Sequence, residues 1–211
     1  MLRSLLLVTL ILTLLGRAEE NQPPTPEACA GLAKRLTSED FETRDSALKE
    51  LSLKGLSWIE AMEKAAPKED VELIEKFKNA RSALFNTTLA EWRKILSYKP
   101  GVNFTGEKEV TSFIESAAPL KALLLKLSDK ERIEFWELTF KMEENVVWYW
   151  YARQKNGNQN PIYKRCLAVF NECTEKAEKY LEKHPDDTLY ADLLKESNML
   201  MYASRKSILI E

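Results

Sequence analysis

The sequence predicts an all-α fold, a helical-repeat-like array or bundle of about eight or nine helices behind an export signal. Three observations carry this. Apolar residues recur every three to four positions from residue 26 onward, and no alternating apolar and polar run reaches strand length. Prolines and small polar residues stand where helices are capped or stopped. Only six of the 211 residues are glycine, and two of those fall in one stretch, 98–106.

The chain opens "MLRSLLLVTLILTLLGRAEE", with Arg3 ahead of an apolar run from Leu5 to Leu15 that only Thr9 and Thr13 interrupt. A membrane-spanning helix needs about 20 apolar residues. This core is shorter and ends in Gly16-Arg17-Ala18, small residues of the kind a signal peptidase reads. The expectation is a signal peptide over 1–18 cut after Ala18, with an uncleaved anchor as the alternative. Cys29 lies too far downstream to be a lipoprotein cysteine. After cleavage no stable membrane span remains, which places the protein in the periplasm or outside the cell. Removing 1–18 leaves 29 basic and 33 acidic residues, a net charge of −4. With Lys and Glu interspersed throughout, no concentrated positive field is available for phosphates, so nucleic acid is excluded as a partner.

The elements follow in order. A proline-rich linker, 19–25, leads into a helix opened by Pro26 and running to 36. Ser38 with Glu39-Asp40 is expected to cap 40–54, which Gly55 ends, and a third helix covers 56–66 before Pro67. Helices over 68–86 and 88–98 stop at "YKPGVNFTG", 98–106. Next come 107–118 and a turn of helix from Pro119 to Leu127. Ser128 and Glu131 have capping-box spacing ahead of 129–155. "KNGNQNP" then ends that helix, Pro161 opens 161–183, and "HPDD" separates it from 188–209. This organisation gives one helical region over 26–98 and a second over 107–211 that packs on it.

Leu36, Ser38, Asp40, Phe41, Arg44, Ala47, Glu50 and Leu51 make the pattern L-x-S-x-D-F-x-x-R-x-x-A-x-x-E-L. A second amphipathic helix follows through Leu56, Ile59 and Met62. This stretch resembles the HEAT-like repeat of secreted bacterial proteins over about residues 36–84. The resemblance implies helix pairs stacked into a solenoid that presents a surface to partners, with Phe41, Leu48 and Leu51 inward and Arg44 bonded to a nearby acid or helix end. "AEKYLEKHPDDTLYADLL", 177–194, looks like the joint of tetratricopeptide-like repeats. A lone repeat unit cannot bury its apolar face, so the helices after 84 are expected to cover it.

The segment 131–154 carries two apolar stripes. Phe135, Leu138, Met142, Val146 and Tyr149 form one, and Ile133, Trp136, Phe140, Val147 and Tyr151 the other. Glu134, Glu137, Lys141, Glu144 and Asn145 fill the remaining arc, so the helix should lie centrally with neighbours on two sides. Trp148 falls within the polar arc. Trp148, Trp150, Tyr151 and Arg153 are therefore the candidate interaction residues, being of types that dominate binding hot spots; the competing reading is that another helix covers Trp148.

Three cysteines are present, Cys29, Cys166 and Cys173. Cys166 and Cys173 sit on one predicted helix about 10 Å apart, too far for a bond between them. A disulfide would join Cys29 to Cys166 or Cys173; otherwise all three are buried thiols on apolar faces. Tyr163, Cys166, Phe170, Cys173, Ala177 and Tyr180 form a core stripe. The one histidine, His184, has no ligand-spaced partner on its helix, and no phosphate loop, nucleophile elbow or H-E-x-x-H occurs. No catalytic residue, metal ligand or cofactor is expected. Asn86-Thr87-Thr88 and Asn103-Phe104-Thr105 fit the glycosylation triplet. The function these features favour is an exported, noncatalytic helical protein that binds another protein or a peptide. The alternative is a small-molecule binder or helical enzyme with a pocket floored by Trp136, Phe140, Trp148 and Trp150.

Overall fold

A computed structural model describes residues 24–67, 69–97, 102–155 and 159–206, with side chains through Tyr202. The predicted leader and cleavage site, most of the predicted linker and the last residues of the final predicted helix lie outside the described residues. Within them every regular element is helical and none is a strand.

In α1 (Pro26–Leu36), Thr25 Oγ1 accepts the Ala28 N–H at 3.2 Å, and Pro26 fills the first turn, where its missing N–H costs nothing. Asp40 caps α2 (Phe41–Lys54), its Oδ2 accepting the Thr43 N–H at 2.8 Å. The cap is Asp40 and not Ser38, whose Oγ accepts the Asp40 N–H at 3.2 Å one step earlier. Gly55 alone separates α2 from α3 (Leu56–Ala65). Its φ of 84° and ψ of −173° suit glycine and strain any other residue.

α4 runs unbroken from Val71 to Leu96 and replaces the two helices expected over 68–86 and 88–98. Asn86-Thr87-Thr88 reads locally as a break. However, Thr87 Oγ1 donates to the Ala83 carbonyl at 2.9 Å and Thr88 is buried, so both threonines are held in helical backbone. The same burial withdraws the hydroxyl that the Asn86 triplet would present.

The chain divides into two compact units, one ending at Ala90 and the other beginning at Glu91, so the change of unit falls inside α4. The first unit is centred on Leu32, Leu36, Ala47, Leu51, Ile59, Met62, Phe77 and Ala80. Trp58 joins this core beneath the Lys54 ammonium, 4.1 Å from its ring. The Arg81 guanidinium grips the Glu63 carboxylate with two bonds, 2.8 and 2.6 Å, and so ties α4 to α3. Arg44 donates to the Ser38 and Glu39 carbonyls at 2.6 and 2.7 Å, which holds the turn between α1 and α2. Phe41 departs from expectation: it is 70% exposed, whereas Leu51 is fully buried and Leu48 half-buried. The buried arc of α2 centres on Ala47 and Leu51, and Phe41 lies about 80° round from Leu51, with the Arg44 guanidinium 5.9 Å from its ring centre.

The second unit holds α5 (Glu107–Glu115), α6 (Ala118–Leu127), a 3₁₀ turn (Lys130–Arg132), α7 (Ile133–Gln154), α8 (Pro161–Leu181) and α9 (Thr188–Lys206). The expected capping box does not form. Ser128 Oγ donates back to the Leu124 carbonyl at 2.7 Å and closes α6, and the chain enters α7 through the 3₁₀ turn. Asn160 caps α8, accepting the Ile162 N–H at 3.0 Å. α7 is central, packing on α5, α6, α8 and α9. Between α8 and α9 the buried Thr174 and Ser197 hydroxyls lie 2.8 Å apart, both within bonding distance of the Phe170 carbonyl. Cys29, Cys166 and Cys173 are buried free thiols in this structure.

Candidate functional site

At about 100° per residue, Trp148 and Trp150 point nearly opposite ways from α7. The candidate residues accordingly divide into two pairs instead of forming one patch. Trp148 is half-buried, its face covered by the Arg165 guanidinium of α8 at 5.0 Å and its ring meeting Tyr151 edge-on at 6.2 Å. Trp150 points away from that pair and lines a cavity of about 20 Å³ with Leu96, Phe104, Phe113 and Val147, room for one water. The Arg153 guanidinium stands 6.0 Å from the Trp150 ring and is exposed. Tyr151 is only 8% exposed, so its place on the apolar stripe prevails and it cannot serve as a surface contact.

Part of the arc expected to face solvent lies against neighbouring helices instead, while Glu134 and Glu137 stay exposed. Asn145 is buried and donates its amide N–H to the Cys166 carbonyl at 3.0 Å. Lys141 meets Glu172 at 2.5 Å, and Glu144 meets Lys121 of α6 at 2.8 Å. This bond satisfies one of the two N–H donors of the buried amide. Nothing in the helical spacing distinguishes Asn145 from its solvated neighbours, and Arg165, which covers Trp148, drew no notice in the sequence.

The four rings of the alternative pocket do not line one cavity. Phe140 is fully buried, edge-on to Trp92 at 4.7 Å and stacked with Trp136 at 6.0 Å. Trp136 continues to Phe135 at 5.0 Å, Phe135 to Tyr190 at 5.0 Å, Tyr190 to Tyr180 at 3.7 Å, and Tyr180 to His184 at 4.5 Å. His184 is thus the exposed last member of a row of seven rings joined by six contacts. Among the described residues, two buried polar atoms, Trp92 Nε1 and the Tyr149 hydroxyl, find no hydrogen-bond partner.

Asp187 organises the joint between α8 and α9. Its Oδ1 accepts the Tyr190 N–H at 3.3 Å, and its Oδ2 accepts the Tyr180 hydroxyl at 3.3 Å and a guanidinium N–H of Arg132. Burial opposes ionisation of this carboxyl, but Arg132 and the two other donors outweigh it, and the group titrates below its ordinary value. Arg132 stands 55 residues earlier in the chain, so no local pattern could have disclosed this tie. Among the described residues no cluster of three metal-ligating side chains occurs, and no helix is long and apolar enough to cross a membrane. Comparison with known proteins finds no matching family model, no matching curated protein and no matching solved structure.

Proposed function

We propose that the protein is an exported, noncatalytic helical binding protein that acts on another protein or a peptide through the seam between α7 and α8. The observation that carries this reading is the half-exposed Trp148 under Arg165. A large aromatic ring and a guanidinium, both only partly withdrawn from water, supply the residue types that anchor interfaces. The apolar leader supports the export half of the proposal. The HEAT-like pattern, with Leu51 and Ile59 buried, is consistent with a helix pair that carries a presenting surface.

The test is affinity capture from the native envelope with wild-type protein, Trp148→Ala and Arg165→Ala as baits. Both substitutions are expected to weaken capture of the same partner at least tenfold. Thermal stability should change by about 1 kcal/mol or less, as for a surface position. A loss of about 3–5 kcal/mol for Trp148→Ala, the cost of a core tryptophan, would make the ring packing and move the binding surface elsewhere.

A further inference from the structure

We infer that α2 is a self-complementary docking face and that its occupant is a second copy of this chain. Phe41, Asp45, Lys49 and Leu53 follow one another at four-residue intervals along the side of α2 turned away from Ala47 and Leu51. Leu53 is 80% and Phe41 70% exposed, and with Val71 they are the most exposed large apolar residues described in the first unit. Between them lies an open depression of about 470 Å³ bordered by Glu42, Asp45, Ser46, Lys49 and Glu50, of which Glu50 is already engaged by Arg35 and Lys54. Asp45 and Lys49 pair at 2.6 Å within the helix, with 42% and 72% of their side chains exposed.

The order of these four residues is what names the partner. When two copies of α2 lie antiparallel about a two-fold axis level with residue 47, Phe41 of each faces Leu53 of the other. Asp45 of each then faces Lys49 of the other. Apolar meets apolar at both ends, and opposite charges meet in the middle, forming a closed alternating set of four ions. An isologous contact requires one patch to complement itself in this way. A parallel arrangement would set like charges side by side. An anionic partner would oppose Glu42, Asp45 and Glu50, and a cationic one would oppose Lys49, whereas a second copy matches Asp45 and Lys49 to their opposites.

A single stripe on a helix of 14 residues is smaller than a standard interface. Dimerisation is therefore weak, with a dissociation constant of about 10–100 μM. The test is sedimentation equilibrium of the protein purified as the cell makes it, alongside Asp45→Lys, Lys49→Asp and the double variant Phe41→Ser/Leu53→Ser, each checked for unchanged helical circular dichroism. The wild type is expected to dimerise in that range, and each charge variant and the serine variant to pair at least tenfold more weakly. An equimolar mixture of Asp45→Lys with Lys49→Asp should regain pairing as a heterodimer, since a chain with two lysines then faces one with two aspartates. A wild type that stays monomeric at about 200 μM overturns the proposal, as do charge variants that pair as well as wild type or a mixture that fails to pair. The measurement uses purified protein alone, so it is independent of the seam between α7 and α8.

Discussion

Tyr149 is buried among Tyr163 and Phe170, at 5.7 and 6.3 Å, and its hydroxyl has lost water without gaining a partner. An unpaired buried hydroxyl costs about 1–3 kcal/mol. Tyr149→Phe removes the oxygen while keeping the ring, so it is expected to stabilise the protein by about 1 kcal/mol, measured as a higher midpoint in urea. The buried thiols make the opposite kind of statement. Burial pushes Cys166 up to about 12, more than the nearby Arg165 pulls it down, and Cys173 rises for the same reason. A thiol whose native value is raised holds its proton while the unfolded chain releases it near the ordinary value of 9.0, so stability is fully present below that value and falls as pH climbs from 9.0 toward 12. At pH 8 neither cysteine should alkylate in the native state, and both should alkylate once urea unfolds the chain, as read by mass spectrometry. Modification of Cys166 in native protein would show that α8 opens locally.

At the scale of the elements, the α8–α9 joint depends on the ionised form of Asp187. Because the carboxyl titrates below its ordinary 3.8 in the folded chain, its contribution is present above that value and is lost as pH falls beneath it. Asp187→Asn should therefore lower stability at neutral pH by about 1–2 kcal/mol and flatten the acid limb below pH 3.8 relative to wild type, as read by amide exchange in α8 and α9. An acid limb unchanged by the substitution would mean that Arg132 and Asp187 are not coupled in solution. Helix ends were legible from sequence wherever the signal is local. Pro26, Gly55 and Pro161 stop or start helices through their own covalent chemistry, and the structure places α1, the α2–α3 break and the start of α8 accordingly. Legibility failed wherever a distant residue decides the outcome. Asn86 to Thr88 stay helical with Thr88 buried, and Asn145 is drawn inward by a carbonyl on α8. The candidate site fared similarly. The opposition of Trp148 and Trp150 follows from helix arithmetic alone, while the covering Arg165 belongs to a different helix and leaves no trace in the spacing of α7.

On the scale of the whole molecule, the leader sets the first measurable outcome: mass spectrometry of native protein should find an N-terminus at Glu19, and an intact Met1 would replace a released protein with an anchored one. Beyond that, the two units are unequally endowed with chromophores. Four of the five tryptophans, at 92, 136, 148 and 150, belong to the second unit, whereas the first holds only Trp58 beneath a lysine ammonium. In the second unit the row from Trp92 through Phe140, Trp136, Phe135, Tyr190 and Tyr180 to His184 keeps every neighbouring pair of rings within 6.0 Å, and the two tyrosines lie only 14° from parallel. Rings so close and so fixed couple their electronic transitions. The near-ultraviolet dichroism and most of the intrinsic fluorescence therefore report on the second unit, while Trp58 alone speaks for the first. The polypeptide carries, without any added label, two optical reporters that can be read apart.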